Sequence, residues 1–232
     1  MEPKADSYTD WKKWEAGQFG RCHRSDARYF TWCIAQTGLP AFPSRVLEIG
    51  YGNGNFLGFC RSQGWHAVGI ESNESLRDRA RASEFQAHAD IEALPEDEPF
   101  DLIAAFDVLE HMPVQQAEAL FASMKSRLSA HGAIIIRVPN GDSPFGRIYQ
   151  HGDRTHLETY GSEKLRQLCL PLGLGISQPG DAPWFAQQGH GRTPRSFFRA
   201  LLRRSIGWLI GFAYFGSRLD LSPNLLVVVK PI

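Results

Sequence analysis

The stretch Val46-Leu47-Glu48-Ile49-Gly50-Tyr51-Gly52-Asn53-Gly54-Asn55-Phe56 decides how this chain is read. An apolar run breaks into three glycines at alternate positions, the pattern of a buried strand entering a tight turn. Glycines let the backbone turn sharply and approach a ligand with no Cβ in the way. The next segment, FLGFCRSQG, predicts a helix ended by Gly64, whose free N–H groups would face the same ligand. The spacing is G-x-G-x-G. Dinucleotide binders carry G-x-G-x-x-G, so the spacing argues against a dehydrogenase.

Outward from that turn, strands and helices alternate at short intervals. HAVGIE is the second strand, SLRDRARASEF a helix and AHAD a short third strand. FDLIAAFDVLEHM is the fourth strand with its exit. VQQAEALFASMKSRLSAHG is an amphipathic helix that Gly132 is expected to close. GAIIIRVPN, uniformly apolar, is a fifth strand covered on both faces. Upstream, a helix is predicted around residues 24–37, with Ser25 as N-cap and Gly38 as stop; downstream, Ser162 is expected to cap SEKLRQLCLPL. The alternation predicts a parallel α/β sheet with helices on both faces. Ligands of such sheets bind at the carboxyl ends of the strands. Four acids stand at or near those ends: Glu48, Glu71, Asp90 and Asp107. Glu71 is placed to accept from two ribose hydroxyls, and Asp90 suits an adenine amino group.

VLEIGYGNGNF resembles motif I of the class I S-adenosylmethionine-dependent methyltransferases. GIESN resembles their second motif, ADIEALP with FDLIAAFDVLEHM their third and fourth, and GAIIIRVPN the strand that follows. The resemblance covers residues 44–140. It implies a seven-stranded, Rossmann-like, mostly parallel sheet. NLLVVVKP would be its antiparallel edge strand, with a helical insertion before it. The implied organisation is an N-terminal helical cap (1–43), a cofactor-binding domain (44–182 plus 220–232) and a basic amphipathic insertion (183–219). The implied cofactor is S-adenosyl-L-methionine. Glu48, Gly50, Tyr51, Gly52, Asn53 and Gly54 would lie near its methionine part, Glu71 and Ser72 at the ribose, and Asp90 and Ile91 around the adenine. Asp107, Val108 and Leu109, on to His111, would floor the pocket. Arg21 belongs to a segment that folds over the cofactor in this family and would meet the methionine carboxylate. Tyr51 replaces a small or acidic residue of the motif and is expected to narrow the mouth.

After the fifth strand comes VPNGDSPFGRIYQHGDRTHLETYG. A similar histidine loop occurs in small-molecule and glycan methyltransferases related to the ubiquinone-pathway enzymes, on the acceptor side of the cofactor. His156 is the expected general base, since an imidazole titrates near neutral pH; His111 is the second candidate. Asn140, His151, Asp153, Arg154 and Tyr160 are expected to contact the acceptor. His151, Asp153 and His156 are ligand types, but their spacing is not diagnostic and no metal is expected.

Lysine plus arginine equals aspartate plus glutamate, 25 each, so no nucleic-acid partner is implied. The fourth strand ends in DVLEHM and lacks the NPPY-type sequence of amino-directed enzymes. Four cysteines form no CxxC pair, the usage of free thiols in a reducing compartment. MEPKADSYTDWKKWE has no apolar h-region, so the expected location is the cytoplasm. Between Asp181 and Asp220 stand Arg192, Arg195, Arg199, Arg203, Arg204 and Arg218 and no acid. On a helical wheel Arg192, Arg195, Arg199 and Arg203 share one side; Phe197, Phe198, Leu201, Leu202, Trp208, Leu209 and Phe212 share the other. Such a segment either packs on its own domain or a dimer partner, or contacts the inner membrane face through residues 192–216.

The resulting expectation is an O-methyltransferase acting on a hydroxyl of a glycan or lipid-linked acceptor. Two alternatives stay open: a soluble metabolite or quinone-like phenol as acceptor, and a non-catalytic cofactor-binding regulatory subunit.

Overall fold

The computed structural model describes residues 14, 16–39, 43–95, 98–180, 182–183, 186, 193–216 and 220–232. The strands are β1 (Arg45–Ile49), β2 (His66–Ile70), β3 (Gln86–His88), β4 (Phe100–Phe106), β5 (Leu128–Pro139), β6 (Leu174–Ser177) and β7 (Asn224–Pro231). They form one sheet in the order β3-β2-β1-β4-β5-β7-β6. β1 pairs in parallel with β2 and β4, and β7 runs antiparallel to β5 and β6. The fold is thus the Rossmann-like, mostly parallel sheet. The antiparallel strand lies one place inside the edge, with β6 outside it. β1 stands between β2 and β4, where the order of strands reverses, so the crevice for a ligand opens at its carboxyl end.

Both faces of the sheet are covered. On one face Val46, Leu102, Ile135 and Leu226 pack on α1 (Arg24–Ala35) and α2 (Asn55–Ser62) through Tyr29, Phe30, Ile34, Phe56 and Phe59. On the other, Leu47, Ile103, Ile134, Ile136 and Val227 meet α4 (Val114–Ser126) and α6 (Ser162–Cys169) through Phe121, Met124, Leu165 and Leu168. A third cluster joins Tyr51, Leu57 and Phe19 to Leu76 and Ala80 of α3 (Glu74–Ala82). The short α5 (Arg147–Gly152) follows β5, and the long α7 (Pro194–Phe215) precedes β7. No helix among the described residues is long and apolar enough to cross a membrane. The cysteines are free; Cys33, Cys60 and Cys169 are buried, and burial pushes the thiols of Cys33 and Cys169 up to about 12.

Three local expectations are corrected. α4 stops at Ser126, and Gly132 lies within β5, where a register shift opposite Phe100 and Leu102 brings it against the Phe100 carbonyl. α1 ends at Ala35, and His23 precedes it without a side-chain cap, so Ser25 is already helical. Ser162 is likewise inside α6; its N–H donates to Asp142, which caps the helix from a distance.

Glu48 ties β1 to α2. It is buried, and its carboxyl accepts the Leu57 N–H at 3.0 Å, satisfying one of the helix's unpaired first-turn donors in place of a side-chain cap. Burial raises its pKa well above the usual carboxylate range, partly offset by that hydrogen bond. Glu48→Ala leaves the Leu57 N–H without an acceptor in the core and should cost about 1–3 kcal/mol in denaturant unfolding. Glu48→Gln keeps an acceptor oxygen and should cost less. A carboxyl whose pKa is raised by folding contributes stability at low pH that is lost as pH rises through the folded pKa. Stability of the wild type should therefore fall more steeply than that of Glu48→Gln as pH rises above about 4.5, the ordinary value for glutamate.

Candidate active site

At the head of β1 the chain turns through Gly50, Gly52 and Gly54, all left-handed, with φ of 67°, 52° and 71°. A Cβ on Gly50 would stand 2.6 Å from Val108 Cγ2, so the turn lies directly against the exit of β4. Glu71, just past β2, brings its carboxylate to the same place. Oε2 accepts the Gly52 N–H at 3.3 Å, and Oε1 accepts the Asn73 N–H at 3.0 Å and the Ser72 hydroxyl at 3.4 Å. Asn73 in turn caps α3. Asp90 is exposed and accepts the Ala93 N–H at 2.8 Å, while Ile91 beside it is buried in the core.

The N-terminal segment lies on this turn. The Gly20 N–H donates to the Asn53 carbonyl at 2.9 Å, and Phe19 meets Tyr51 edge-on at 5.9 Å. The Trp14 ring stands where a side chain on Gly52 would project. Arg21 is exposed beside Gly20. Tyr51 does not narrow the mouth: its ring points inward, over the bare backbone of Gly69, and joins the cluster with Leu57 and Phe85.

Past β4, Asp107 adopts φ of 57°, a left-handed conformation uncommon outside glycine. Its carboxylate is held by Arg137 on β5 in a two-pronged pair, Nε to Oδ1 at 2.9 Å and Nη2 to Oδ2. That guanidinium also stands 5.2 Å from the centre of the Phe106 ring. Val108 meets Gly50; Leu109, assigned to the pocket floor, is fully buried in the core.

The next two residues begin a second constellation. The Glu110 carbonyl accepts both the Leu157 and Glu158 N–H groups, at 2.7 and 3.2 Å, stitching the histidine loop to the exit of β4. The His111 and His156 rings then meet edge to face, centroids 4.6 Å apart. His156 Nδ1 lies 3.1 Å from the Gln150 carbonyl, which can only accept. The proton of the neutral ring therefore belongs on Nδ1, and Nε2 presents a lone pair. Nε2 stands 3.8 Å from Asp153 Oδ2 and 4.0 Å from Glu110 Oε1, and both carboxylates are buried. His111 Nδ1 lies 3.0 Å from Thr155 Oγ1, whose hydroxyl donates to Asp153 Oδ1 at 2.6 Å. That order makes Nδ1 the donor on His111 as well.

Other residues assigned to the acceptor are drawn into the framework. Asn140 is buried: Nδ2 donates to the Ser222 carbonyl and Oδ1 accepts the Asp142 N–H, both at 3.0 Å, joining the end of β5 to the entry of β7. Tyr160 is fully buried in the core. His151 and Arg154 are exposed, outside the His111–His156 group. Thr155 and Arg137 were missed, and Glu110, inside the stretch from Asp107 to His111 assigned to the pocket floor, was given no role of its own. Glu110 stands between two residues assigned to the site, but nothing in the sequence says which of them turns toward the histidine loop.

A family model described as a methyltransferase domain matches residues 34–178. The chain belongs to that methyltransferase family. It is a class I enzyme, and its cofactor is S-adenosylmethionine. Its fold is similar to that of a SAM-dependent methyltransferase from Archaeoglobus fulgidus, at 18% identity over 98% of this chain and 100% of that one, TM-score 0.64. A TehB-like SAM-dependent methyltransferase from Corynebacterium glutamicum is 17% identical over 98% of each chain, TM-score 0.58. The plantazolicin methyltransferase BpumL, in complex with SAH, is 15% identical over 99% of this chain and 90% of that one, TM-score 0.58. No curated protein matches the sequence.

The methyltransferase's residues fit this cofactor. The left-handed glycine turn offers bare backbone, and the Glu71 carboxylate is held at its edge by three local donors. Glu48 is the exception: buried against α2, it shapes the turn and does not reach the mouth. Glu71→Ala should weaken S-adenosylmethionine binding by tenfold or more in calorimetry, as expected from losing charge-assisted hydrogen bonds of about 1.5–3 kcal/mol, with unfolding little changed.

Proposed function

We propose that this methyltransferase methylates a hydroxyl on a glycan or lipid-linked acceptor at a membrane face, with His156 taking the acceptor's proton. The observation that carries the reading is the His156 ring itself, pinned through Nδ1 so that Nε2 offers a lone pair beside two buried carboxylates. Bound S-adenosylmethionine supplies a methyl group on a sulfonium, already activated for in-line displacement. The protein's work is then to position the hydroxyl, exclude water and accept one proton. Glu110 and Asp153 would stabilise the imidazolium so formed. The Glu110 carbonyl, through Leu157 and Glu158, holds the histidine loop to the exit of β4, and Val108 of that exit stands against the glycine turn.

Support for a lipid-linked acceptor comes from α7. Its described buried residues are Ser196, Gly207 and Gly211, a line of small side chains on one side of the helix. Phe197, Phe198, Leu201, Leu202, Trp208, Leu209 and Phe212 are exposed on the opposite side. An amphipathic helix in a globular body normally turns that face inward. Here it faces outward, with exposed Arg195, Arg199 and Arg204 flanking it, the arrangement of a helix lying in a lipid interface. Arg192 and Arg218 lie outside the described residues.

His156→Ala should lower kcat by about 10²–10⁴-fold while leaving S-adenosylmethionine affinity within about twofold; equal turnover would remove the base. In a flotation assay the protein should rise with phosphatidylglycerol-containing vesicles and not with phosphatidylcholine alone. The variant Leu209→Asp/Phe212→Asp, changed only at exposed positions, should stay at the bottom. Absence of flotation would favour a soluble metabolite or phenol as acceptor.

A further inference from the structure

We infer that Thr155 is a positioning residue for methyl transfer: its hydroxyl sets the Asp153 carboxylate and the His111 ring together, and so fixes the surroundings in which His156 takes the acceptor's proton. Three hydrogen bonds meet on this one residue. The Thr155 N–H and hydroxyl both donate to Asp153 Oδ1, at 3.0 and 2.6 Å. With its proton given to the carboxylate, Oγ1 accepts from His111 Nδ1 at 3.0 Å. Two donors on Oδ1 fix the rotation of the carboxylate, and Oδ2 stands 3.8 Å from His156 Nε2. Asp153 is buried, so the direction of its charge counts for more than it would in water. The same hydroxyl fixes the tautomer of His111, whose ring meets His156 edge to face, centroids 4.6 Å apart.

Glu110 and His111 face His156 from the exit of β4, Asp153 from its own loop and the Gln150 carbonyl from α5. Gln150 holds the ring of His156, and the Glu110 backbone holds the loop. Thr155 holds the remaining two. The inference rests on His156 as the proton acceptor. The acceptor's O–H bond breaks and its proton bonds to Nε2; the oxygen bonds to the methyl carbon as the carbon–sulfur bond breaks, and the electron pair stays on sulfur. Positive charge develops on the imidazole in that step. A carboxylate already set beside the ring meets the charge without reorganisation, whereas one that rotates must be ordered during the step. Thr155 therefore acts on turnover and not on binding. Valine matches threonine in shape and lacks the hydroxyl; serine keeps the hydroxyl and lacks the methyl group. The two substitutions separate hydrogen bonding from packing.

The test uses the full chain, with each variant shown by circular dichroism to be folded. ¹⁵N NMR of histidine-labelled protein, at a pH where the rings are neutral, reads the tautomers without any acceptor. The wild type should carry the proton on Nδ1 of both His111 and His156. In Thr155→Val the His111 signals should move toward the Nε2–H form while His156 keeps Nδ1–H, and Thr155→Ser should keep the wild-type pattern. Methyl transfer is then followed with octyl glucoside, a sugar on an alkyl chain, as the probe acceptor. Thr155→Val should lower kcat by about 10–100-fold, the span for a lost hydrogen bond to a charged group, with KM and S-adenosylmethionine affinity unchanged. Thr155→Ser should restore most of the turnover. In a His156→Ala background Thr155→Val should cost nothing further, because the two residues act as one unit. An unchanged His111 tautomer in Thr155→Val, or full turnover by that variant, would overturn the inference and leave His156 as the base. A fully active His156→Ala would overturn the base itself, and the role of Thr155 with it.

Discussion

The backbone of Gly50 comes so near Val108 that a single methyl group would not fit between them, and both halves of the site depend on that approach. It places the glycine turn of β1 against the exit of β4. The exit carries Glu110 and His111, and the Glu110 carbonyl carries the histidine loop. The glycine turn near residue 50 and the histidine loop near residue 156, the surfaces proposed for cofactor and acceptor, are therefore linked through one tight contact. The left-handed backbone of Asp107, whose carboxylate is clamped by Arg137, sits at the middle of this chain of contacts.

Most of the sheet was legible because each strand announces itself locally. The apolar runs of β1, β4 and β5 end in glycines or acids, and the glycine turn carries its own conformational requirement. What escaped was side-chain direction. Tyr51 stands in the middle of the motif, and only the bare backbone of Gly69, on another strand, lets its ring turn inward. Asn140 and Tyr160 have the chemistry of acceptor ligands, yet the entry of β7 claims the one and the core the other. Gly132 follows a helical pattern and reads as a cap. It became part of a strand because a bulge opposite Phe100 absorbs it. Each of these outcomes is decided by residues distant in sequence, which periodicity does not register.

The sequence of α7 is amphipathic, and a helical wheel sets Arg195, Arg199 and Arg203 apart from the aromatics. It leaves open which side meets the body. The structure answers with a stripe of small residues, Ser196, Gly207 and Gly211, and leaves the aromatic side outward. Ordinary burial does not account for that orientation, since the apolar area that would stabilise docking is the part kept in solvent.

The buried thiols carry a further consequence. Burial pushes the Cys33 thiol up to about 12, so little of it is thiolate at neutral pH. Alkylating reagents attack the thiolate, so the folded enzyme is nearly inert to them at this position and at Cys169. Modification then reports the moments when α1 or α6 lifts from the sheet. The cysteines act as built-in clocks, one on each side of the sheet, that record how often each layer opens.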